Sequence, residues 1–466
     1  SSAASDVYKR QGMTVELLED VRDEVTELLS ELIKIDTTNP PGNETAAAKF
    51  LAEYLEKEGL KCEIVESAPG RGSLITRIKG EGKGPSLLLL SHLDVVPALA
   101  KEWSVPPFSG IVKDNFVWGR GSLDCKSLVA MEAMIMKLLK REKFKPKGDI
   151  IFAATADEEK GGNYGVGWLV KNCPEKIKAD FVINEGGGFS IPINGKHIFT
   201  VQTAEKGVMW LKIRAKGRPG HGSIPSAADN AILRMAKVAE AIGTYRSKIR
   251  VAPAVKQMIE GLAKERGTVW QLLSRLLISP RFADKILDRM AKDEPATAEF
   301  LRAMLRNTMA PTMISGGVKE NIIPSECEAV FDCRVLPGET KDFLLAEIKG
   351  VLSHAKIKLE KLEFEFIQAD EPSESPIETP LYNAIQKVLR RFEPHSYVVP
   401  FMMTGGTDSR FLRRIGCICY GFAPMKTDMP LSDFLKMAHG IDERVSVDNL
   451  VFGVSVLYQL VREFML

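Results

Sequence analysis

No apolar run in this 466-residue chain approaches the roughly 20 residues that a membrane-spanning helix needs. The run from Ser86 to Leu90 has the length of a buried strand. No basic segment leads into an apolar one near the N-terminus, so no signal peptide is expected. Residues 1–12 lack periodicity and precede Met13; they read as a non-native leader and are set aside. No C-x-x-C pair occurs among the seven cysteines (Cys62, Cys125, Cys173, Cys327, Cys333, Cys417 and Cys419). An odd number without that spacing points to reduced thiols and a cytoplasmic location rather than a disulfide framework. Charge of one sign is also missing: Lys+Arg is 63 against Asp+Glu 61. That balance gives no electrostatic case for nucleic acid or an anionic membrane as partner. Internal repeats and low-complexity tracts are absent as well.

What is present exceeds one hydrophobic core, because single cores stop growing at roughly 250–300 residues. From Met13 to about Ala204, strand-length apolar runs alternate with helical patterns. Lys61–Val65, Ser73–Ile78, Ser86–Leu90, Asp149–Thr155 and Phe181–Ile183 read as strands; Glu16–Leu32, Lys49–Glu58, Ser127–Lys140 and Gly165–Lys171 read as helices. This alternation predicts an α/β sheet covered on both faces. The rhythm then changes. Val208–Ala215, Asn230–Tyr245, Met309–Ser315, Glu326–Leu336, Lys341–Ser353 and Leu362–Gln368 follow the β-α-β-β-α-β order of a ferredoxin-like unit. A helical stretch at about 251–306 interrupts it. After the linker around Pro372-Ser373-Glu374, Pro380–Phe392 and Val447–Phe464 read as helices and Cys417–Phe422 as a strand. The expected organisation is one domain from 13–203 plus 373–466, split by an inserted domain at 204–372.

Acids and histidines recur at strand ends. Ser91-His92-Leu93-Asp94-Val95-Val96-Pro97 follows the first leucine run, where open α/β sheets place their ligands. His92 and Asp94, two apart in extended chain, point the same way, so Asp94 is placed to hold the imidazole from behind. Gly119-Arg120-Gly121-Ser122-Leu123-Asp124-Cys125-Lys126 delivers one acid before a long helix. Thr155-Ala156-Asp157-Glu158-Glu159-Lys160-Gly161-Gly162 places three adjacent acids after a buried strand, where a cation would relieve their repulsion. Asn184-Glu185-Gly186-Gly187-Gly188 adds another acid, and His439 comes from a loop near the chain's end. Taken singly, these read equally well as a surface His–Asp pair, an N-cap, a solvated turn and a loop histidine. As a set, His92, Asp124, Glu159, Glu185 and His439 are five N/O donors without cysteine, the make-up of two divalent ions sharing a carboxylate.

These motifs, in this order and spacing, resemble the zinc-dependent family of aminoacylases, acetylornithine and succinyl-diaminopimelate deacylases, and glutamate carboxypeptidases. The likeness runs from Met13 nearly to the end. The stretch from His439 through Val451-Phe452-Gly453 looks closest to yeast-type vacuolar carboxypeptidases and N-fatty-acyl amino-acid hydrolases. The resemblance implies a phosphorylase/hydrolase-like three-layer α/β/α catalytic domain with an inserted ferredoxin-like α+β lid that dimerises. It implies that Asp124 bridges two ions, with His92 and Glu185 on one and Glu159 and His439 on the other. It makes Glu158 the general base, Asp94 the orienting acid and His221 the oxyanion donor. Asn321, Arg334, Gly406, Thr407 and Arg410 would bind substrate, Arg410 gripping its carboxylate. The ions would be zinc, with cobalt or manganese as alternatives, and the protein a homodimer through the inserted domain. The expected reaction is hydrolysis of N-acyl amino acids or small peptides bearing a free carboxylate. Di- or tripeptidase, carboxypeptidase and biosynthetic deacylase activities are variants of the same chemistry. A non-catalytic metal-dependent amino-acid binder is the alternative from another class, against which the intact Glu158-Glu159 pair argues. A binuclear phosphodiesterase is disfavoured by the lack of a basic phosphate cradle. Two positions depart from the family pattern: Cys125 stands where many relatives carry Met or Thr, and Ser127 where many carry Gly.

Overall fold

Leu87-Leu88-Leu89-Leu90 is a run of four leucines, and its alternation explains the layers of the first unit. A computed structural model describes residues 15–466, so the proposed leader at 1–12 lies outside the described residues. Leu87 and Leu89 join one buried cluster, with Ile150, Phe152 and Ala154 of the neighbouring strand. Leu88 and Leu90 join a second cluster on the opposite face, with Ile151 and Ala153. Successive strand side chains point to opposite faces, so a sheet covered on both sides needs apolar residues at every position. Helices Val15–Lys34, Lys126–Arg141, Pro380–Phe392 and Val447–Met465 contribute Leu29, Met134, Ile385 and Leu457 to the first face. Val166–Asn172 and Ser409–Arg414 contribute Leu169 and Leu412 to the second.

The central sheet is mixed. Leu87–His92 runs parallel to Ile150–Thr155 on one side and to Phe181–Asn184 on the other. Ile418–Gly421 adds parallel to Phe181–Asn184. Gly72–Ile78 and Cys62–Glu66 extend the opposite side antiparallel. Register pairs His92 with Thr155, so the parallel strands end side by side. The residues just beyond them therefore share one edge.

By contacts the chain forms two compact units. The first holds the described residues up to Thr203, with Ser375–Phe401 and Thr407–Leu466; the second holds Ala204–Glu374 and Met402–Gly406. Met402–Gly406, expected with the first unit, therefore groups with the second.

In the second unit, four antiparallel strands lie in the order Thr308–Gly316, Glu326–Val335, Gly207–Lys216, Leu362–Asp370. Helices Ala231–Gly243 and Lys341–His354 cover one face, where Met235, Val238, Leu344 and Ile348 pack on Leu211, Ile213 and Phe331. Asn230 caps the first helix, its side-chain oxygen accepting from the backbone N–H of Ile232 at 2.9 Å. Chain order and sheet order are those of the ferredoxin-like pattern. The interrupting stretch is four helices: Pro253–Arg266, Thr268–Leu277, Ala283–Asp293 and Pro295–Leu305. Arg302 ties two of them through Asp288 at 2.6 Å.

Strands Ser190–Ile193, Lys196–Glu205 and Tyr397–Met403 escape the sequence reading. Lys196–Glu205 buries Thr200, Gln202, Thr203 and Glu205, so apolar alternation is missing where the strand is deepest. No described helix is long and apolar enough to cross a membrane.

Candidate metal centre

Three of the acidic motifs emerge at the aligned ends of the parallel strands. His92 closes its own strand, Glu158 and Glu159 form a short 3-10 turn three residues after Thr155, and Glu185 follows Asn184. Asp157 enters that turn in the left-handed region, with φ of 68°. Gly162 leaves it at φ of 71°, and a Cβ there would stand 2.5 Å from Asp408 Oδ1. Glycine is thus required at that position both by backbone angle and by space.

Asp124 lies between two histidines. Its Oδ1 is 3.0 Å from His92 Nε2, and its Oδ2 is 3.0 Å from His439 Nε2. Glu185 Oε1 stands 3.4 Å from His92 Nε2, and Glu159 Oε2 3.1 Å from His439 Nε2. Glu158 Oε2 is 3.7 Å from His92 Nε2. Three groups able to hold an ion result, each with one atom per residue inside 4.8 Å: His92, Asp124, Cys125 and Glu185; Asp124, Glu159 and His439; and His92, Glu158 and Glu159. Asp124 belongs to the first two. The Cys125 thiol was not among the donors expected from sequence, yet the structure brings it into the first group. His92 is buried, whereas the His439 side chain is 53 % exposed, so the second group faces solvent.

Electrostatics show that the cluster demands positive charge. Burial and the repulsion of Glu185 raise Glu158 well above the ordinary carboxyl range. Burial and Asp124 push Glu159 up to about 7. Burial also works against charge on Asp124, but bonds from His439 and His92 hold it well below the usual range. The bonds to Asp124 and Glu159 raise His439 to about 10. Buried carboxylates with imidazole partners in this geometry suit divalent cations with nitrogen and oxygen donors.

A network behind these residues fixes them. The Asp94 carboxylate accepts the backbone N–H groups of Glu158 and Glu159, both at 3.0 Å. It lies 3.4 Å from His92 Nδ1, while that nitrogen makes a shorter 2.9 Å bond to the Asp94 backbone carbonyl. Carbonyl and carboxylate together hold the proton on Nδ1 and leave Nε2 free to coordinate. Asn39 donates to both Asp94 and Asp157 at 2.9 Å. Arg71 clamps Glu44 with two bonds of 2.8 and 2.9 Å and reaches Asp157 at 2.8 Å. Glu443, fully buried, accepts from the backbone of Leu123 and Asp124 and from Arg120. Sequence reasoning did not single out Asn39, Glu44, Arg71 or Glu443. Only Glu443 carried a signal, four residues after His439.

The remaining expected residues fall into three places. Arg410 is 5 % exposed and donates to the carbonyls of Thr407 at 2.7 Å and Gly161 at 2.9 Å. Its guanidinium stacks on Phe411 at 4.6 Å. Two of its N–H groups thus serve backbone carbonyls of its own unit. Thr407 is buried beside it. In the second unit, Arg334 bonds Asp332 through Nε at 2.7 Å and Nη2 at 3.0 Å, and Nη1 reaches the carbonyl of Thr404, two residues before Gly406. His221 and Asn321 are exposed and come together through a two-stranded ribbon, in which the Gly222 N–H donates to the Asn321 carbonyl at 2.9 Å.

Carboxylates and imidazoles thus gather at the ends of parallel strands, on a mixed α/β sheet, as a donor set able to hold divalent cations. Residues 88–463 match peptidase family M20/M25/M40, and the chain belongs to that family of amide-bond hydrolases. It is 29% identical over 463 residues to the N-fatty-acyl-amino acid synthase/hydrolase PM20D1 of Mus musculus, covering 95% of this chain and 88% of that relative. It is 28% identical over 444 residues to aminoacylase-1 of Sus scrofa, covering 93% of each. The fold superposes on the M20 family metallo-carboxypeptidase Sso-CP2 from Sulfolobus solfataricus with a TM-score of 0.70 at 19% identity, over 95% of this chain and 99% of that one. The family resemblance and the α/β class expected from sequence are thereby borne out.

Proposed function

We propose that the protein hydrolyses the amide bond of N-acyl amino acids bearing a free carboxylate, using two divalent ions bridged by Asp124. The observation that carries this reading is the division of the Asp124 carboxylate, one oxygen toward His92 and the other toward His439, at 3.0 Å each. His92 and Glu185 would hold one ion, and Glu159 and His439 the other. Zinc suits the donor set, and cobalt or manganese would serve. Bound there, such ions would supply an acidified water and would polarise the amide carbonyl.

The chain's own groups do the rest. Glu158 takes the proton of the attacking water and returns it to the leaving amine. Its backbone N–H is bonded to Asp94, which fixes the turn that carries the carboxylate. His221 donates to the oxyanion, an effect worth roughly 3–4 kcal/mol for one such donor. Asn321, Arg334, Gly406 and Thr407 contact substrate, and Arg410 positions the Thr407 loop rather than the carboxylate. The fatty-acyl and acyl amino-acid relatives favour an N-acyl amino acid over a dipeptide as substrate.

A homodimer through the second unit is favoured by the edge strand Thr308–Gly316. Met313 is 67% and Ile314 61% exposed there, and an apolar unpaired edge of this kind seeks a second strand. All seven cysteines are free, which favours a reducing, cytoplasmic setting.

The test is amine release by the metal-stripped and zinc-reloaded protein across N-acyl amino acids of increasing acyl length, their carboxyl amides, and dipeptides. Zinc-restored cleavage of the free acids, at least about tenfold faster than of their amides, is the expected result. Faster cleavage of dipeptides would move the assignment to a peptidase. No release from any member, with two ions bound, would favour the binding-protein alternative.

A further inference from the structure

Cys125 is the one donor in the cluster that the mechanism above does not use. It is the N-cap of helix Lys126–Arg141, and its side chain lies against the end of the His92 strand. The sulfur accepts the His92 backbone N–H at 3.3 Å and stands 3.6 Å from the His92 carbonyl oxygen. Only 2% of the residue is exposed. The sulfur, a His92 ring nitrogen and one oxygen each from Asp124 and Glu185 all lie within 4.8 Å of one another. Tetrahedral ligands at roughly 2.0–2.3 Å from an ion stand about 3.3–3.8 Å apart, so the four draw in by up to about 1 Å to share one centre.

We propose that Cys125 supplies a thiolate to the ion held by His92, Asp124 and Glu185, making this position sulfur-preferring and chemically unlike its neighbour. The proposal rests on the two-ion reading. One further fact points the same way. Among the described residues no other cysteine joins such a donor group. The second group, Asp124, Glu159 and His439, offers only oxygen and nitrogen. Thiolate ligation favours zinc or cadmium, and a carboxylate-rich set tolerates manganese, so the two positions sort ions by softness. On binding, the sulfur–metal bond forms as the S–H bond breaks, the proton leaving to solvent with no change of oxidation state.

The test uses the full chain stripped of metal and titrated with Co(II), read by near-ultraviolet absorption. A thiolate-to-cobalt charge-transfer band is expected in the wild type, with two cobalt ions bound per chain. Cys125→Ser and Cys125→Ala are expected to lose the band and still bind two cobalt ions. Their preference for zinc over manganese at the first position is expected to fall by roughly tenfold or more. Two bound cobalt ions without the band would overturn the proposal and leave the two-ion reading standing. A band that persists in both variants would overturn it too. Failure of the wild type to bind two ions would remove the two-ion reading, and this proposal with it.

Discussion

Glu443 accepts the backbone N–H of Asp124 at 3.0 Å, and its same oxygen accepts that of Leu123 at 2.8 Å. The other oxygen takes Arg120 at 2.9 Å and the Gly121 N–H at 3.2 Å. Glu443 follows His439 by four residues, so one segment both delivers a histidine and fixes the loop carrying the shared acid. Glu443→Gln replaces one acceptor with a donor facing donors. Metal affinity is expected to fall about 10–100-fold with the fold retained, as for other groups that orient ligands. Chelator competition on wild type and variant measures this, and an unchanged affinity would refute the orienting role.

Arg71 binds Glu44 and Asp157 in a buried triad, with side chains 11%, 0% and 3% exposed. Arg71→Ala leaves two acids without their cation. The first unit is expected to lose about 3–5 kcal/mol of stability. Denaturant unfolding followed by a probe in that unit checks it. A loss below about 1 kcal/mol would mean that Asn39 and the backbone already satisfy both acids.

Glu132 sits fully buried in helix Lys126–Arg141, bonded to Ser91 at 2.8 Å. Burial raises its carboxyl well above 4.5. The folded protein therefore keeps a proton that the unfolded chain releases once pH exceeds that value. Stability from this group is intact below 4.5 and is lost as pH rises toward the raised folded value. Glu132→Gln is neutral throughout and is expected to be more stable than the wild type near pH 8 and to differ little near pH 4. Thermal melts of both proteins across that range give the comparison; a constant difference would show that the carboxyl does not titrate on unfolding.

Arg410 ends the motif Gly405-Gly406-Thr407-Asp408-Ser409-Arg410, and its side chain donates to the carbonyls of Thr407 and Gly161. Arg410→Met is expected to lower stability by about 1–3 kcal/mol. The rate ratio between a free-acid substrate and its carboxyl amide is expected to stay within about twofold of wild type. A collapse of that ratio without loss of stability would restore the substrate role.

The parts of the molecule legible in sequence are those where a single short segment carries the signal. Leucine runs mark strands buried on both faces, and His92, Asp124, Glu159 and Glu185 each follow a recognisable apolar run or glycine turn. The β-α-β-β-α-β order of the second unit is legible for the same reason. What stays hidden depends on pairings between distant segments. Asn39 meets Asp94 and Asp157 across 55 and 118 positions, and nothing local in Asn39-Pro40-Pro41 announces it. Lys196–Glu205 is hidden because several of its buried residues are polar and meet distant segments, as when Gln202 accepts from Arg413 at 2.8 Å. Cys125 was noticed as unusual, but its approach to Glu185 depends on how two strand ends align.

The central claim is that one carboxylate holds two ions, and counting metal per chain tests it most directly. Wild type and Asp124→Ala, loaded with zinc and freed of excess, are compared by elemental analysis beside circular dichroism. The account predicts two ions in the wild type and the loss of both together in the folded variant. A folded Asp124→Ala that keeps two ions would contradict it.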